Sequence, residues 1–197
     1  MSKIKYFFSQ TLFNRKSKTI KPTEENLKQD IINLRINGYS IPTKLRERIE
    51  KNEWHAENVD LKNLAELLTT NSPFSGSDAA YKELINRLYL YNLVTMVSES
   101  KAYIKWIDGK GDDFYRGILM GKKDSNAYPG DIDPKKSIMI ADFGIGAEQA
   151  FALDYRDNER NPSVIFVYWA NTKPDINNKW KKITNSYEEF DQIIFKK

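Results

Sequence analysis

The chain has 197 residues, no cysteine, one histidine and a formal net charge of +4. A hydrophobic content of 40% with 13% aromatics suits one globular domain with a core and not a disordered chain. The missing cysteines exclude structural disulfides, thiolate zinc sites and a cysteine nucleophile.

The charge is uneven. Residues 1–51 carry 12 Lys and Arg against 5 Asp and Glu, and the remainder carries 19 against 22, so a basic head precedes a mildly acidic body. A basic segment can meet nucleic acid, an anionic membrane or an acidic protein. A solvated surface is expected here, because no Arg/Lys–aromatic nucleic-acid motif accompanies it. Tyr6-Phe7-Phe8 is broken at once by Ser9, Gln10 and Thr11, too short for a signal-peptide apolar region. No run approaches the roughly 20 apolar residues of a membrane span, and the expectation is a soluble, cytoplasmic protein.

Residues 1–22 form a basic arm, and residues 23–197 are expected to make one domain, helical over 23–100 and sheet-forming over 101–197. Pro22-Thr23-Glu24-Glu25 opens a helix with Leu27, Ile31 and Leu34 on one face, stopped by Gly38. Pro42-Thr43 opens the next, carrying Leu45 and Ile49, and Asp60 opens a third, carrying Leu61, Leu64, Leu67 and Leu68. Residues 71–77 read as a polar loop. A longer fourth helix is predicted from Asp78 through Leu84, Ile85, Leu88, Leu93 and Met96.

Beyond residue 100 the pattern predicts strands. Ala102–Ile107 and Phe114–Met120 would pair around Asp108-Gly109-Lys110-Gly111. Ser137–Ala141, Ala150–Asp154, Val164–Trp169 and a short Trp180–Ile183 follow, rich in β-branched and aromatic residues. Ser186 and Glu189 form a capping box for a final helix with Phe190, Ile193 and Ile194 inward. The fold class is therefore α+β, with N-terminal helices, a mostly antiparallel curved sheet and a closing C-terminal helix.

Motifs for chemistry are few. His55 alone cannot build a histidine-based triad or a His-rich metal site. Asp108–Asp113 superficially resembles a calcium loop, but Lys110 stands where an oxygen ligand is required. Gly144-Ile145-Gly146 lacks the third glycine and the Lys-Ser/Thr of phosphate-binding loops. Asp131, Asp133, Asp142, Glu148 and Asp154 form an acidic series, which fits turn-stabilising bonds or a partner-facing surface better than paired acid–base chemistry. Trp169, Trp180, Tyr155 and Tyr168 are either core or, where exposed, binding anchors.

The order Tyr128-Pro129-Gly130-Asp131-Ile132-Asp133, Ile140-Ala141-Asp142-Phe143-Gly144-Ile145-Gly146, Leu153-Asp154-Tyr155-Arg156, Asn161-Pro162-Ser163-Val164-Ile165, Trp180 and Ser186-Tyr187-Glu188-Glu189-Phe190 resembles the SUKH superfamily of Smi/Knr cell-wall-regulator-like domains. The resemblance covers roughly residues 114–195. It implies an α+β domain without catalytic activity, cofactor or metal. For bacterial members it implies an immunity protein that neutralises a cognate polymorphic toxin by binding it. For fungal relatives it implies a scaffold in cell-wall signalling. The implied partner-binding region is the loops around Gly144, Gly146 and Arg156–Asn161, with Asp131, Asp133, Asp142, Glu148, Asp154 and Trp169 nearby. An acidic surface would suit a basic toxin such as a nuclease. Nucleic-acid binding through Arg15, Lys16, Lys18 and Lys21, and a hydrolase using the acidic series, are the minor expectations.

Overall fold

The computed structural model describes residues 35–74, 84–108, 117, 119–123, 126–144, 149–169 and 178–195, all within the compact unit Leu34–Lys197. The basic arm, residues 23–34 of the first expected helix, the start of the fourth at Asp78, the Asp108–Gly111 turn beyond Asp108, most of Phe114–Met120, and Gly146 and Glu148 lie outside the described residues.

The fold is α+β. Its first described element is a hairpin of β1 (Arg35–Ile36) and β2 (Tyr39–Ser40). Asn37 and Gly38 turn it with φ of 55° and 87°, the paired positive values that an Asn-Gly turn supplies. Gly38 therefore turns a hairpin and does not stop a helix.

Two helices follow, α1 (Thr43–Glu50) and α2 (Leu61–Asn71). Asp60 caps α2, accepting from the Lys62 and Asn63 N–H groups at 3.1 Å each, as expected of an N-cap aspartate. Leu64 and Leu68 are fully buried. The expected fourth helix is interrupted. A 3-10 turn (Ile85–Arg87) and β3 (Tyr89–Leu90) intervene, and α3 (Leu93–Asp108) then runs straight through the predicted strand Ala102–Ile107.

Asn92 explains the restart, since its side chain accepts from the Thr95 N–H at 2.9 Å. The inward face of α3 is Met96, Ser100 and Tyr103, a helical spacing that the isolated apolar run Ala102–Ile107 conceals. The expected division at residue 100 falls inside this helix. Further on, the described Leu119 and Met120 are helical and not extended.

Among the described residues six strands make the main sheet in the order β3-β5-β6-β7-β8-β4, with β4 (Pro129–Gly130), β5 (Ser137–Asp142), β6 (Ala150–Asp154), β7 (Ser163–Tyr168) and β8 (Lys179–Thr184). Every pairing is antiparallel. Register shifts at Met139/Ala141 and Val164/Ile165 are bulges of the kind that deepen twist and bend.

All positions of β5, β6 and β7 are buried, which requires cover on both faces. One face carries Phe151, Phe166 and Tyr168, with the Phe151 ring 6.1 Å from Phe190 of α4 (Tyr187–Ile194) and the Tyr168 hydroxyl on the Leu68 carbonyl of α2 at 2.9 Å. Trp180, on the other face, packs edge-on against Tyr103 of α3. The closing helix begins as expected, Ser186 Oγ accepting the Glu189 N–H at 3.0 Å. The Glu189 carboxylate reaches back one residue further, to the Asn185 N–H at 2.8 Å. Among the described residues no helix is long and apolar enough to cross a membrane.

Candidate functional site

The described members of the acidic series do not converge on one point: Asp131 and Asp154 meet at Arg156, while Asp142 lies elsewhere. Ser137 pairs with Asp154 and Asp142 with Ala150, so Asp142 and Asp154 stand at opposite ends of the β5–β6 ladder. Four strand positions of rise separate these ends by about 14 Å, too far for two carboxylates to share a substrate atom.

Each described carboxylate of the series has internal work. Asp133 caps the 3-10 turn Pro134–Lys136 by accepting the Lys135 N–H at 3.0 Å. Asp142 accepts the Tyr91 hydroxyl at 2.9 Å and the Gly144 N–H at 2.6 Å. Asp154, only 3% exposed, grips Arg156 through Nε at 3.0 Å and Nη2 at 2.9 Å.

Arg156 is the organiser of one end of the sheet. Besides Asp154 it donates to the Asp131 carboxylate at 3.0 Å and to the Asp131 carbonyl at 2.8 Å. Burial disfavours its charge, but Asp154 and Asp131 outweigh burial and hold the guanidinium above its ordinary pKa. This fork ties the loop after β6 to the chain leaving β4, a use that lysine could not reproduce.

Next to that fork lies the most exposed large aromatic side chain among the described residues. Tyr128 is 58% exposed. Its hydroxyl donates to Asp157 at 2.8 Å, Lys182 donates to the same carboxylate at 2.7 Å, and the Lys182 ammonium stands 4.9 Å from the Tyr128 ring centre. The Tyr128 carbonyl also accepts the Lys182 N–H at 2.8 Å. Lys182, then Tyr128, depress the Asp157 pKa below the ordinary carboxylate value. The result is an aromatic face fixed at both its hydroxyl and its backbone. It is rimmed by exposed Asn158, Glu159 and Arg160, in a loop where Asn158 Oδ1 accepts the N–H groups of Arg160 and Asn161 at 3.0 Å each.

Sequence reading marked Arg156 and its loop but missed Tyr128, Asp157 and Lys182 as one unit. Lys182 is one of three half-buried lysines of β8, with Lys179 and Lys181, and nothing in its local sequence sets it apart. Of the remaining expected site residues, Gly144 lies at the far end of β5, and Trp169 is half-buried just past β7. Trp180 and Tyr168 are fully buried core, and Tyr155 is nearly so. The Tyr155 hydroxyl donates to the Ser40 carbonyl at 2.9 Å, and its ring stacks on Tyr39 at 4.5 Å. His55 is exposed, its ring bonded to Asn52 at 2.9 Å. Among the described residues no group of His, Asp and Glu is placed to hold a metal ion.

The site and fold define an α+β protein with a helix-covered antiparallel sheet and a fixed aromatic platform at one sheet end. Protein-family models, curated proteins and solved structures give no significant match to this chain.

Proposed function

We propose that the chain is a non-catalytic protein-binding module, an immunity protein that neutralises a cognate toxin domain by direct contact. The observation that carries this reading is the Tyr128 platform. An exposed tyrosine held by Asp157 and Lys182 has already lost the freedom that binding would otherwise cost, and tyrosine is among the residues that dominate interface energetics. The resemblance of the chain to SUKH domains supplies the toxin as the kind of partner.

The partner-facing surface in this reading shifts from the acidic series as a whole to Tyr128, Asp157 and the Asn158–Asn161 loop. Asp131 and Asp154 act behind it, through Arg156. Around the ring Asp157 and Glu159 stand beside Lys182 and Arg160, so the platform offers both signs of charge and the tyrosine itself is the anchor.

The test is affinity capture from the native organism with the tagged full-length chain, beside Tyr128→Ala. Recovery of the C-terminal toxin domain of a large secreted protein on the wild type only supports the proposal. Cell-wall or signalling proteins alone would replace it with the scaffold role. Nucleic acid alone would direct attention to Arg15, Lys16, Lys18 and Lys21.

A further inference from the structure

The sequence contains a single Asn-Gly pair, Asn37-Gly38, and it forms the turn of the β1–β2 hairpin. The pair is labile as well as turn-forming. A glycine carries no side chain to obstruct its own backbone nitrogen, so the Gly38 nitrogen can attack the Asn37 amide carbon. Gly38 is exposed, and a Cβ built on it would meet nothing within 4 Å.

The structure gives the same amide a task. Asn37 Nδ2 donates to the Pro134 carbonyl at 3.0 Å and to the Ser137 carbonyl at 2.8 Å. These carbonyls belong to the first residue of the 3-10 turn Pro134–Lys136 and the first residue of β5. Both partners only accept, so a side chain there needs two N–H donors to satisfy them. Neighbouring contacts complete the attachment. Tyr39 stacks on Tyr155 at 4.5 Å, the Ser40 carbonyl accepts the Tyr155 hydroxyl at 2.9 Å, and the Tyr155 N–H donates to the Lys136 carbonyl at 2.9 Å. The hairpin is a strap over the turn before β5 and over the residue that precedes Arg156.

We propose that Asn37 is a one-way modification site, whose amide clasps the strap and whose deamidation releases it. The Gly38 nitrogen bonds to the Asn37 amide carbon and closes a succinimide ring. The bond from that carbon to Nδ2 breaks, and Nδ2 leaves as ammonia with the proton from the Gly38 N–H. Water then opens the ring at either carbonyl, leaving aspartate or β-linked isoaspartate at position 37. A carboxylate now faces two carbonyl oxygens with no proton to donate, so it repels what the amide held. The clasp also guards the site. The amide carbon cannot turn onto the Gly38 nitrogen while Nδ2 holds both carbonyls, so conversion requires the strap to open first. Once converted, the strap cannot reseat.

The experiment follows the full chain at pH 8, folded and in denaturant, with peptide mapping by mass spectrometry reading conversion at Asn37. The clasp predicts conversion at least about tenfold slower in the folded chain. Two variants test the release. Asn37→Asp carries the carboxylate, and Asn37→Gly keeps the turn while removing the amide without adding charge. Tm is predicted to fall in the order wild type, Asn37→Gly, Asn37→Asp, with the last at least about 5 °C below wild type. Amide exchange in Asn37→Asp should rise across residues 35–40 while β7 keeps its wild-type protection. Equal conversion rates in the folded and unfolded chains, or an Asn37→Asp chain with wild-type Tm and exchange, would overturn the proposal.

Discussion

Tyr128 and Asp157 are 29 residues apart in sequence and joined by a 2.8 Å hydrogen bond at the protein surface. The bond links the residue before β4 to the loop after β6 and fixes the exposed ring. Because both groups are solvent-accessible, Tyr128→Phe should lower folding stability by less than about 1 kcal/mol. It should nonetheless raise ring and loop mobility, measurable as lowered NMR order parameters at residues 128 and 157–160. Asp157 titrates below its ordinary 3.8, so the link is intact above that pH and is lost as pH falls through the depressed folded value.

Arg156 leaves a different signature. Asp154 has 4% of its side chain exposed and Arg156 22%, so Arg156→Met strands a buried carboxylate. A loss of about 3 kcal/mol is expected, by analogy with broken buried pairs, read as a lower denaturant midpoint with unchanged slope. Replacing Asp154 and Arg156 together by Asn and Met should cost less than the single change. A double variant as unstable as Arg156→Met would show that the fork, and not the orphaned charge, matters.

Arg48 anchors α4 in the same manner. It forms a forked pair with Asp191, Nη2 standing 2.9 Å from Oδ2, and its guanidinium lies 3.9 Å from the Phe195 ring centre. Asp191 is 2% exposed. Arg48→Ala should destabilise by about 3 kcal/mol. Arg48→Lys should recover only part of that, since a point charge replaces a planar fork. Thermal unfolding of the two variants checks the order.

Gly121 sits where the chain crosses β4 and β8. A Cβ there would meet the Gly130 carbonyl at 2.6 Å and Trp180 Cδ1 at 2.8 Å, and its φ is +69°. Gly121→Ala should cost about 2 kcal/mol. A loss of near-UV dichroism from Trp180, whose Nε1 donates to the Leu119 carbonyl at 2.9 Å, should accompany it.

Much of the fold was legible where local chemistry and pattern agreed. Asp60, Ser186 and the β-branched run of β7 stand in the structure much as their residue types require. The misses share a cause. Ala102–Ile107 is apolar and short, and its helical period shows only when Met96 and Ser100 are read with it. The Asn37-Gly38 turn was hidden behind a helical pattern running into it. The Tyr128 platform joins residues 29 and 25 positions apart, and nothing local in the sequence encodes such a contact. The acidic series was visible as a set of residues, but its division between opposite sheet ends depends on the β5–β6 register.

The most direct measurement is the affinity of Tyr128→Ala for the captured partner, by calorimetry against the wild type. An anchoring tyrosine predicts a loss of at least about 2 kcal/mol, roughly 30-fold in Kd, well beyond the fall of about 1 kcal/mol in folding stability that loss of its surface contacts brings. Binding as tight as wild type would contradict the placement of the interface on this platform.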